Sequence, residues 1–354
     1  HRIAALISNE VDGCRASGDS TQAEKTVRSR VDTRSRRRPG VESIRFGSIM
    51  VSEIDMTTPL ENNVPPHPEQ PLSLSSPSTN QSTMNICLLG GTYFIGRRIA
   101  AMLVAHRHEV CLVNRGRQPP VHGTTHLRAD RSNVDELAQA LADRSFDAII
   151  DVSGQRPEHV VNLVEALPLL APRIIFISSG AVYTGEKPPF GEDSPTGEGI
   201  WGAYGLAKLA CEEIWEKAAS ASGASLLSLR PPYLYGLGNP LDRERWFVAR
   251  IRDGRPIFLP DDPTIPIQFL HVDDLAQIVA GHLATTTTGP YNVAATDLLN
   301  FGRLCELTGE ALRRDADVRV IDTAAHDISA REIFPFRNYP YILNQEKMER
   351  DLIE

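Results

Sequence analysis

No stretch of this 354-residue chain is continuously apolar over the roughly 18 residues that a membrane-spanning helix needs, so a helical membrane span is not expected. Cysteine is scarce. The five residues (Cys14, Cys87, Cys111, Cys211 and Cys305) are odd in number, widely scattered and without metal-ligand or redox spacing. That pattern excludes a disulfide framework and a thiolate zinc site, and it predicts a reduced, cytoplasmic protein with no metal. Positive charge is in deficit, with 37 Lys and Arg against 45 Asp and Glu and a net charge of −8. The balance argues against a general nucleic-acid or anionic-membrane partner. Repeats of the solenoid kind are also absent. What remains, 41% hydrophobic and 23% charged residues, is the composition of a globular protein long enough for a substantial core.

The first 83 residues differ from the rest. "RSRVDTRSRRR" (28–38) is an arginine cluster and "PPHPEQPLSLSSPSTNQST" (65–83) is rich in Pro, Ser and Thr. Neither carries a core-forming period, so residues 1–83 are expected to be a disordered leader and linker. The arginines read better as a solvated tail than as a nucleic-acid contact. The chain begins at His1, and Met50, Met56 and Met84 are each candidate starts. A targeting peptide fits less well, because acidic residues are spread through the region and no apolar segment of the required kind is present.

From Met84 strands and helices alternate. "NICLL" (85–89), "EVCLVN" (109–114), "FDAIIDVSG" (146–154), "RIIFISS" (173–179) and "ASLLSLRPP" (224–232) read as nearly all-apolar strands. "FIGRRIAAMLVAHRH" (94–108), "NVDELAQALADRS" (133–145) and "YGLAKLACEEIWEKAA" (204–219) read as amphipathic helices. Apolar strands alternating with helices predict an α/β fold, a doubly wound parallel sheet covered on both faces. After residue 237 the rhythm loosens. "GLGNPLDRERW" and "LPDDPTIPIQ" read as loops, and a helix over 272–284 and a strand at "GPYNVAA" follow. The expected division is a core over about 84–236 plus 271–293, with a small C-terminal substrate lobe over about 237–270 and 294–354. Late segments of a doubly wound chain commonly lie over the strand ends where ligands bind.

"LLGGTYFIG" joins the first strand to the first helix. Such a turn holds a pyrophosphate: glycines admit the backbone and the helix N-terminus offers N–H groups and partial positive charge. Gly90, Gly91, Thr92, Tyr93, Phe94, Ile95 and Gly96 are therefore the candidate dinucleotide turn. Tyr93 is the anomaly, since a tyrosine cannot let a phosphate approach as glycine does. Its ring is expected to swing out over the cofactor while the N–H groups of Phe94 and Ile95 face the phosphates. A carboxylate at the end of the second strand would hold the ribose hydroxyls of NAD. Here Asn114 and Arg115 stand instead. Asn does not repel a 2′-phosphate and Arg115 pairs with one, which tilts the choice between the two NAD(P) cofactors to NADP, with Arg97 and Arg98 as helpers. Asp130 is a candidate partner for the adenine amino group, or equally a cap for the helix that follows.

Tyr204-x-x-x-Lys208 places both side chains on one helix face. A tyrosine near its ordinary pKa of about 10 is a poor acid–base group at neutral pH, and a neighbouring cation lowers that value. Ser178 and Ser179 end a strand, where a hydroxyl faces substrate. His271 with Asp273 and Asp274 reads as a helix cap rather than a metal site. Trp201 and Trp246 read as cleft or core residues.

"LLGGTYFIG", "ISSGAVYTG", "YGLAK", "LRPPYLYG" and "FLHVDDLA" occur in this order across 84–300. Together they resemble the extended short-chain dehydrogenase/reductase superfamily, in its NAD-dependent epimerase/dehydratase group. The resemblance implies a Rossmann fold and a catalytic set of Ser179, Tyr204 and Lys208. It places Pro231 and Tyr233 beside the nicotinamide and Asp151, Val152, Ser153 and Gly154 under the adenosine half. It also implies a homodimer through the long helices. Three departures, Tyr93, Asn114, and Ile267-Gln268 in place of a substrate-diphosphate arginine, resemble an atypical branch. That branch includes chloroplast stem-loop-binding proteins and bacterial reductase-like relatives. "FPFRNYPYILNQEKMERDLIE" resembles the segment before a final closing helix, so the chain reads as stopping short of it. The expected function is an NAD(P)-dependent oxidoreductase or epimerase acting on a hydroxyl/ketone carbon of a sugar or nucleotide-sugar. The alternatives are a dinucleotide-binding RNA-binding or regulatory protein, and a carbonyl reductase of secondary metabolism.

Overall fold

In the structure, a computed structural model, residues 82–185 and 187–353 are described. The disorder expected of the leader and its arginine cluster lies outside them.

Seven parallel strands form the central sheet. They are β1 (Asn85–Leu89), β2 (Glu109–Asn114), β3 (Thr125–Arg128), β4 (Ala148–Asp151), β5 (Arg173–Ile177), β6 (Ser225–Arg230) and β10 (Gly289–Asn292), in the order β10-β6-β5-β4-β1-β2-β3. The order reverses beside β1, and in such a sheet ligands bind in the crevice outside the strand C-termini at that switch point. The helices α1 (Phe94–Ala105), α2 (Val134–Leu141), α3 (Pro157–Ala166) and α4 (Ala203–Ser222) connect the strands, and α6 (Val272–Gly281) packs on α1. On the other face Leu137, Leu163 and the fully buried Trp215 close over Cys87, Ile149 and Ile174. Burying a side chain of this size contributes roughly 1.5–3 kcal/mol.

The remaining elements are β7 (Tyr233–Tyr235), α5 (Glu244–Arg252), β8 (Ile257–Pro260), β9 (Ile267–His271), β11 (Leu298–Leu299), α7 (Phe301–Leu312), β12 (Val318–Ile321), α8 (Ala330–Ile333) and α9 (Glu346–Asp351). They make two small sheets, β11-β9-β7 and β12-β8, around an aromatic core of Phe247, Phe301, Phe334 and Phe336.

Several boundaries differ from the sequence reading. The first helix stops at Ala105 because Arg107 takes a left-handed backbone (φ 65°), and His108 N–H bonds back to the Leu103 carbonyl. The helix expected over 204–219 is longer, running to Ser222 before the left-handed Gly223. The strand at 146–154 is only Ala148–Asp151, since the chain leaves the sheet after Asp151. Both stretches read as loops contribute to elements. "GLGNPLDRERW" holds the first turn of α5, whose Phe247, Val248 and Ile251 are buried, and "LPDDPTIPIQ" carries the end of β8 and the start of β9.

Candidate functional site

The glycine turn is built by close approach. A β-carbon on Gly96 would sit 2.0 Å from the Gly90 carbonyl oxygen, so α1 presses on the end of β1 as no other residue allows. Gly90 holds φ +92°, and Ser153 packs on it so tightly that a β-carbon there would meet Ser153 Cβ at 2.7 Å. Gly91 rests on Leu88 and Leu112, and Thr92 completes the turn. Tyr93 is the extended N-cap of α1 (φ −143°, ψ 145°) and makes no side-chain cap bond. It is 37% exposed, outside the turn rather than within it. The first N–H groups of α1, those of Phe94 and Ile95 among them, have no partner inside the helix, which leaves an anion-binding end at the crevice.

At the end of β2, Asn114 Oδ1 accepts from Gly116 N–H (2.8 Å) and from His126 Nε2 (3.1 Å). Its Nδ2 is buried without an acceptor. Arg115 is half exposed and stands 4.0 Å from Asp130. Asp130 Oδ1 accepts from Ser132 N–H in a local turn, and the N-cap of α2 is Asn133, so Asp130 is not the helix cap. Arg98 does not serve the dinucleotide end as expected. It is locked bidentately to Asp273 of α6 at 2.5 and 2.9 Å.

Beside the turn lies a buried ion pair that the sequence reading missed. Arg131 grips Asp151 through two bonds of 2.6 and 3.0 Å and also donates to Ser153 Oγ and the His159 carbonyl. Trp215 Nε1 donates to the same carboxylate at 3.3 Å. Burial would raise the Asp151 pKa, but Arg131 outweighs it and holds the carboxyl below its usual range. Val152 N–H bonds to the Leu89 carbonyl, which seats Ser153 and Gly154 against the crevice.

Ser179, Tyr204 and Lys208 come from the turn after β5 and from α4. Ser179 lies two residues beyond β5 and caps a single 3-10 turn (Gly180–Val182), its hydroxyl accepting from Ala181 N–H at 3.2 Å. A β-carbon on Gly205 would lie 2.2 Å from the Ala181 carbonyl, so α4 is drawn onto that turn and carries Tyr204 to Ser179. Tyr204 is 49% exposed, yet desolvation around its phenol still raises the pKa above its ordinary value, while the nearby Ser179 hydroxyl and the charge of Arg243 oppose the rise. Lys208 is not among the groups acting on it. The Lys208 ammonium is buried, donates to the carbonyls of Gly154 (2.7 Å) and Ile177 (2.6 Å), and lies 4.2 Å above the Phe176 ring. Burial lowers its pKa to about 8, with Asp151 opposing.

The C-terminal segment closes this site. Tyr341 is buried with its hydroxyl where a Gly180 side chain would stand, 2.6 Å from an ideal β-carbon. Pro231 accepts from Gly180 N–H, and Tyr233 packs edge-on against Trp201, Phe336 and Tyr341. Trp201 and Trp246 are half-buried rings packed against the aromatic core. Gln268, at the position of the missing arginine, is buried and structural. Its Nε2 donates to the Ala295 carbonyl and its Oε1 accepts from Leu343 N–H. His271 Nδ1 accepts from Asp273 N–H, the cap expected of it.

A sequence profile described as the NAD dependent epimerase/dehydratase family matches residues 86–294. The chloroplast stem-loop binding protein of 41 kDa b from Arabidopsis thaliana is 28% identical over 77% of this chain and 75% of its own length. The 2′-dehydrokanamycin reductase of Streptomyces kanamyceticus is 28% identical over 61% of this chain and 62% of its own length. Among solved structures, the UDP-glucose 4-epimerase of Thermotoga maritima, crystallised with UDP-glucose, superposes with a TM-score of 0.63 over 75% of this chain and 92% of its own, at 17% identity.

Proposed function

Because the chain belongs to the NAD dependent epimerase/dehydratase family, we propose that it is an NAD(P)-dependent oxidoreductase or epimerase acting on a hydroxyl/ketone carbon of a sugar or nucleotide-sugar. One observation carries this reading: the Gly205–Ala181 contact draws α4 onto the turn that Ser179 caps, which sets Tyr204 next to Ser179 past the carboxyl end of β5, while Lys208 one helical turn on donates to Gly154 beside the glycine turn. A dinucleotide fits the crevice at these strand ends, because Gly90, Gly91 and Gly96 let the turn and α1 close tightly on the strand ends and the Asn114 amide is left with an unused donor. Gly90 to Gly96 would face its pyrophosphate, Asn114 and Arg115 its adenosine ribose, and Val152 to Gly154 its adenine side. The turn has no room for the Tyr93 ring, which stays outside it.

When bound, the nicotinamide supplies or accepts the hydride. The protein moves the proton. With its pKa raised, Tyr204 is a phenol at neutral pH, so it donates to the oxygen of a substrate carbonyl as that oxygen gains charge. Ser179 orients the same oxygen through its hydroxyl. Lys208 has three donors and spends two on carbonyls, which leaves one for a ribose hydroxyl of the cofactor. Its ammonium therefore pins the cofactor to the strand ends and leaves the tyrosine to Ser179 and Arg243. NADP is the preferred cofactor on this reading, since no carboxylate ends β2. Tyr204→Phe is the test: turnover falls by about 100-fold or more, as loss of a proton donor requires, while dinucleotide binding persists. Full turnover in that variant overturns the assignment.

The likeness to a chloroplast stem-loop binding protein supports a second reading, an RNA-binding dinucleotide protein. The net charge of −8 weighs against it. Salt-dependent RNA binding, with no change in nicotinamide absorbance on any carbonyl substrate, would reverse the order.

A further inference from the structure

Among the described residues, one cation beside Tyr204 has no anionic partner. Arg243 stands at the N-terminus of α5, and its guanidinium lies over the rings of Tyr233 (4.7 Å) and Phe336 (5.5 Å). Stacking occupies the faces of a guanidinium and leaves its five in-plane N–H donors pointing outward. None of them bonds to any described group. The adjacent carboxylate, Glu244, is taken by Asn239 Nδ2 (2.9 Å) and Gly236 N–H (3.2 Å).

Two more arginines converge on the same place. Arg337 lies over the Trp201 ring at 5.3 Å, and Arg331 donates to the carbonyls of Phe334 and Pro335. No described carboxylate lies within ion-pair distance of Arg243, Arg331 or Arg337. Burial lowers the Arg243 pKa; Tyr233 and the charge of Glu244 oppose that shift, and Arg331 adds to it by repulsion. A half-buried cation with unused donors and like-charged neighbours is costly unless something anionic completes it.

We propose that Arg243, flanked by Arg331 and Arg337, receives an oxyanion of the substrate, a carboxylate or a phosphate, and holds it beside Tyr204. The planar fork matches either group bidentately. The subsite rests on the catalytic reading above and narrows it: the substrate carries negative charge near the reacting carbon. Anchoring through Arg243 also fixes which face of the substrate meets the Tyr204 phenol.

Calorimetric titration of the full chain with glucose 1-phosphate, glucuronate and glucose tests this, with and without saturating NADP+. The three probes share a ring and differ in anion. Expected is that one or both anionic sugars bind at least about tenfold tighter than glucose, that Arg243→Gln removes that advantage, and that Arg243→Lys keeps part of it. The responding probe identifies phosphate or carboxylate as the group recognised. Arg337→Gln, which leaves the Tyr233 stacking in place, is expected to weaken the same binding by a smaller factor. Anionic and neutral sugars binding alike, no binding by either anion, or an unchanged preference in a folded Arg243→Gln protein each overturns the proposal. Because the readout is sugar binding, a failure here is separate from the Tyr204→Phe result, which alone decides the catalytic reading.

Discussion

Gly205 touches the carbonyl of Ala181 so closely that a β-carbon at 205 would stand 2.2 Å from its oxygen. That contact sets the height of α4 over the strand end and thereby the approach of Tyr204 to Ser179. Gly205→Ala must lift the helix, at a cost of about 1–3 kcal/mol. A displacement of about 1 Å in a reacting group commonly costs about 100-fold in rate. The expected variant is therefore folded, binds dinucleotide within about twofold of the parent, and turns over about 100-fold more slowly. Steady-state kinetics beside a fluorescence titration check it; an unchanged kcat would show that the contact does not position Tyr204.

Lys208 makes a prediction in pH. Its ammonium pKa is lowered by burial from 10.5 to about 8. Above pH 8 the amine keeps two N–H groups for Gly154 and Ile177 and loses the third. Dinucleotide affinity should hold up to about pH 7.5 and weaken above 8, while Lys208→Arg, charged throughout, should show no such break. For stability the sign is opposite. The folded pKa is below the unfolded one, so the unfolded chain holds more protons between 8 and 10.5 and folding gains stability as pH rises through that window. A flat affinity profile to pH 10 would remove the ammonium from the cofactor site.

The parallel sheet and the glycine turn were legible because both are local: apolar runs have a period and Gly90 and Gly96 have a spacing. Tyr204 and Lys208 were legible for the same reason, lying four apart on one helix. Arg131 was not, although it sits beside the flagged Asp130. Its partner Asp151 lies 20 positions on, past the whole of α2, and only the fold brings the β3–α2 loop to the end of β4. Gly205 lay within "YGLAK" in plain view, but its meaning depends on the carbonyl it meets. The lobe was the least legible part, since its core rings, Phe247 of α5, Phe301 of α7 and Phe336 of the irregular segment after α8, share no common period.

The Arg131–Asp151 pair should behave as a buried ion pair does when one partner is removed. Asp151→Asn leaves the Arg131 charge buried beside Ser153 and Lys208, which typically costs about 3–5 kcal/mol. The native carboxyl pKa is depressed, so its stabilisation is present above the ordinary value of 3.8 and is lost as pH falls through the lower folded value. Urea unfolding at pH 7 and at pH 3 should show the variant far weaker at pH 7 and the gap closing in acid. Equal stability at pH 7 would mean that the pair contributes nothing net.

Cofactor choice turns on one residue at the end of β2. Asn114 accepts from Gly116 N–H and leaves its own amide donor unused, with Arg115 beside it. Asn114→Asp retains the acceptor for Gly116 and exchanges the donor for a negative charge. A carboxylate there repels a 2′-phosphate and accepts from the ribose hydroxyls of NAD. The ratio of NADP+ to NAD+ affinity should fall by about tenfold, or ~1.4 kcal/mol, mostly through weaker NADP+ binding. Arg115→Ser should lower NADP+ affinity alone. The competing expectation is a site indifferent to the 2′ position, and it would leave both ratios where they began. Paired titrations with the two dinucleotides, at one ionic strength because the phosphate contact is screened by salt, distinguish the two.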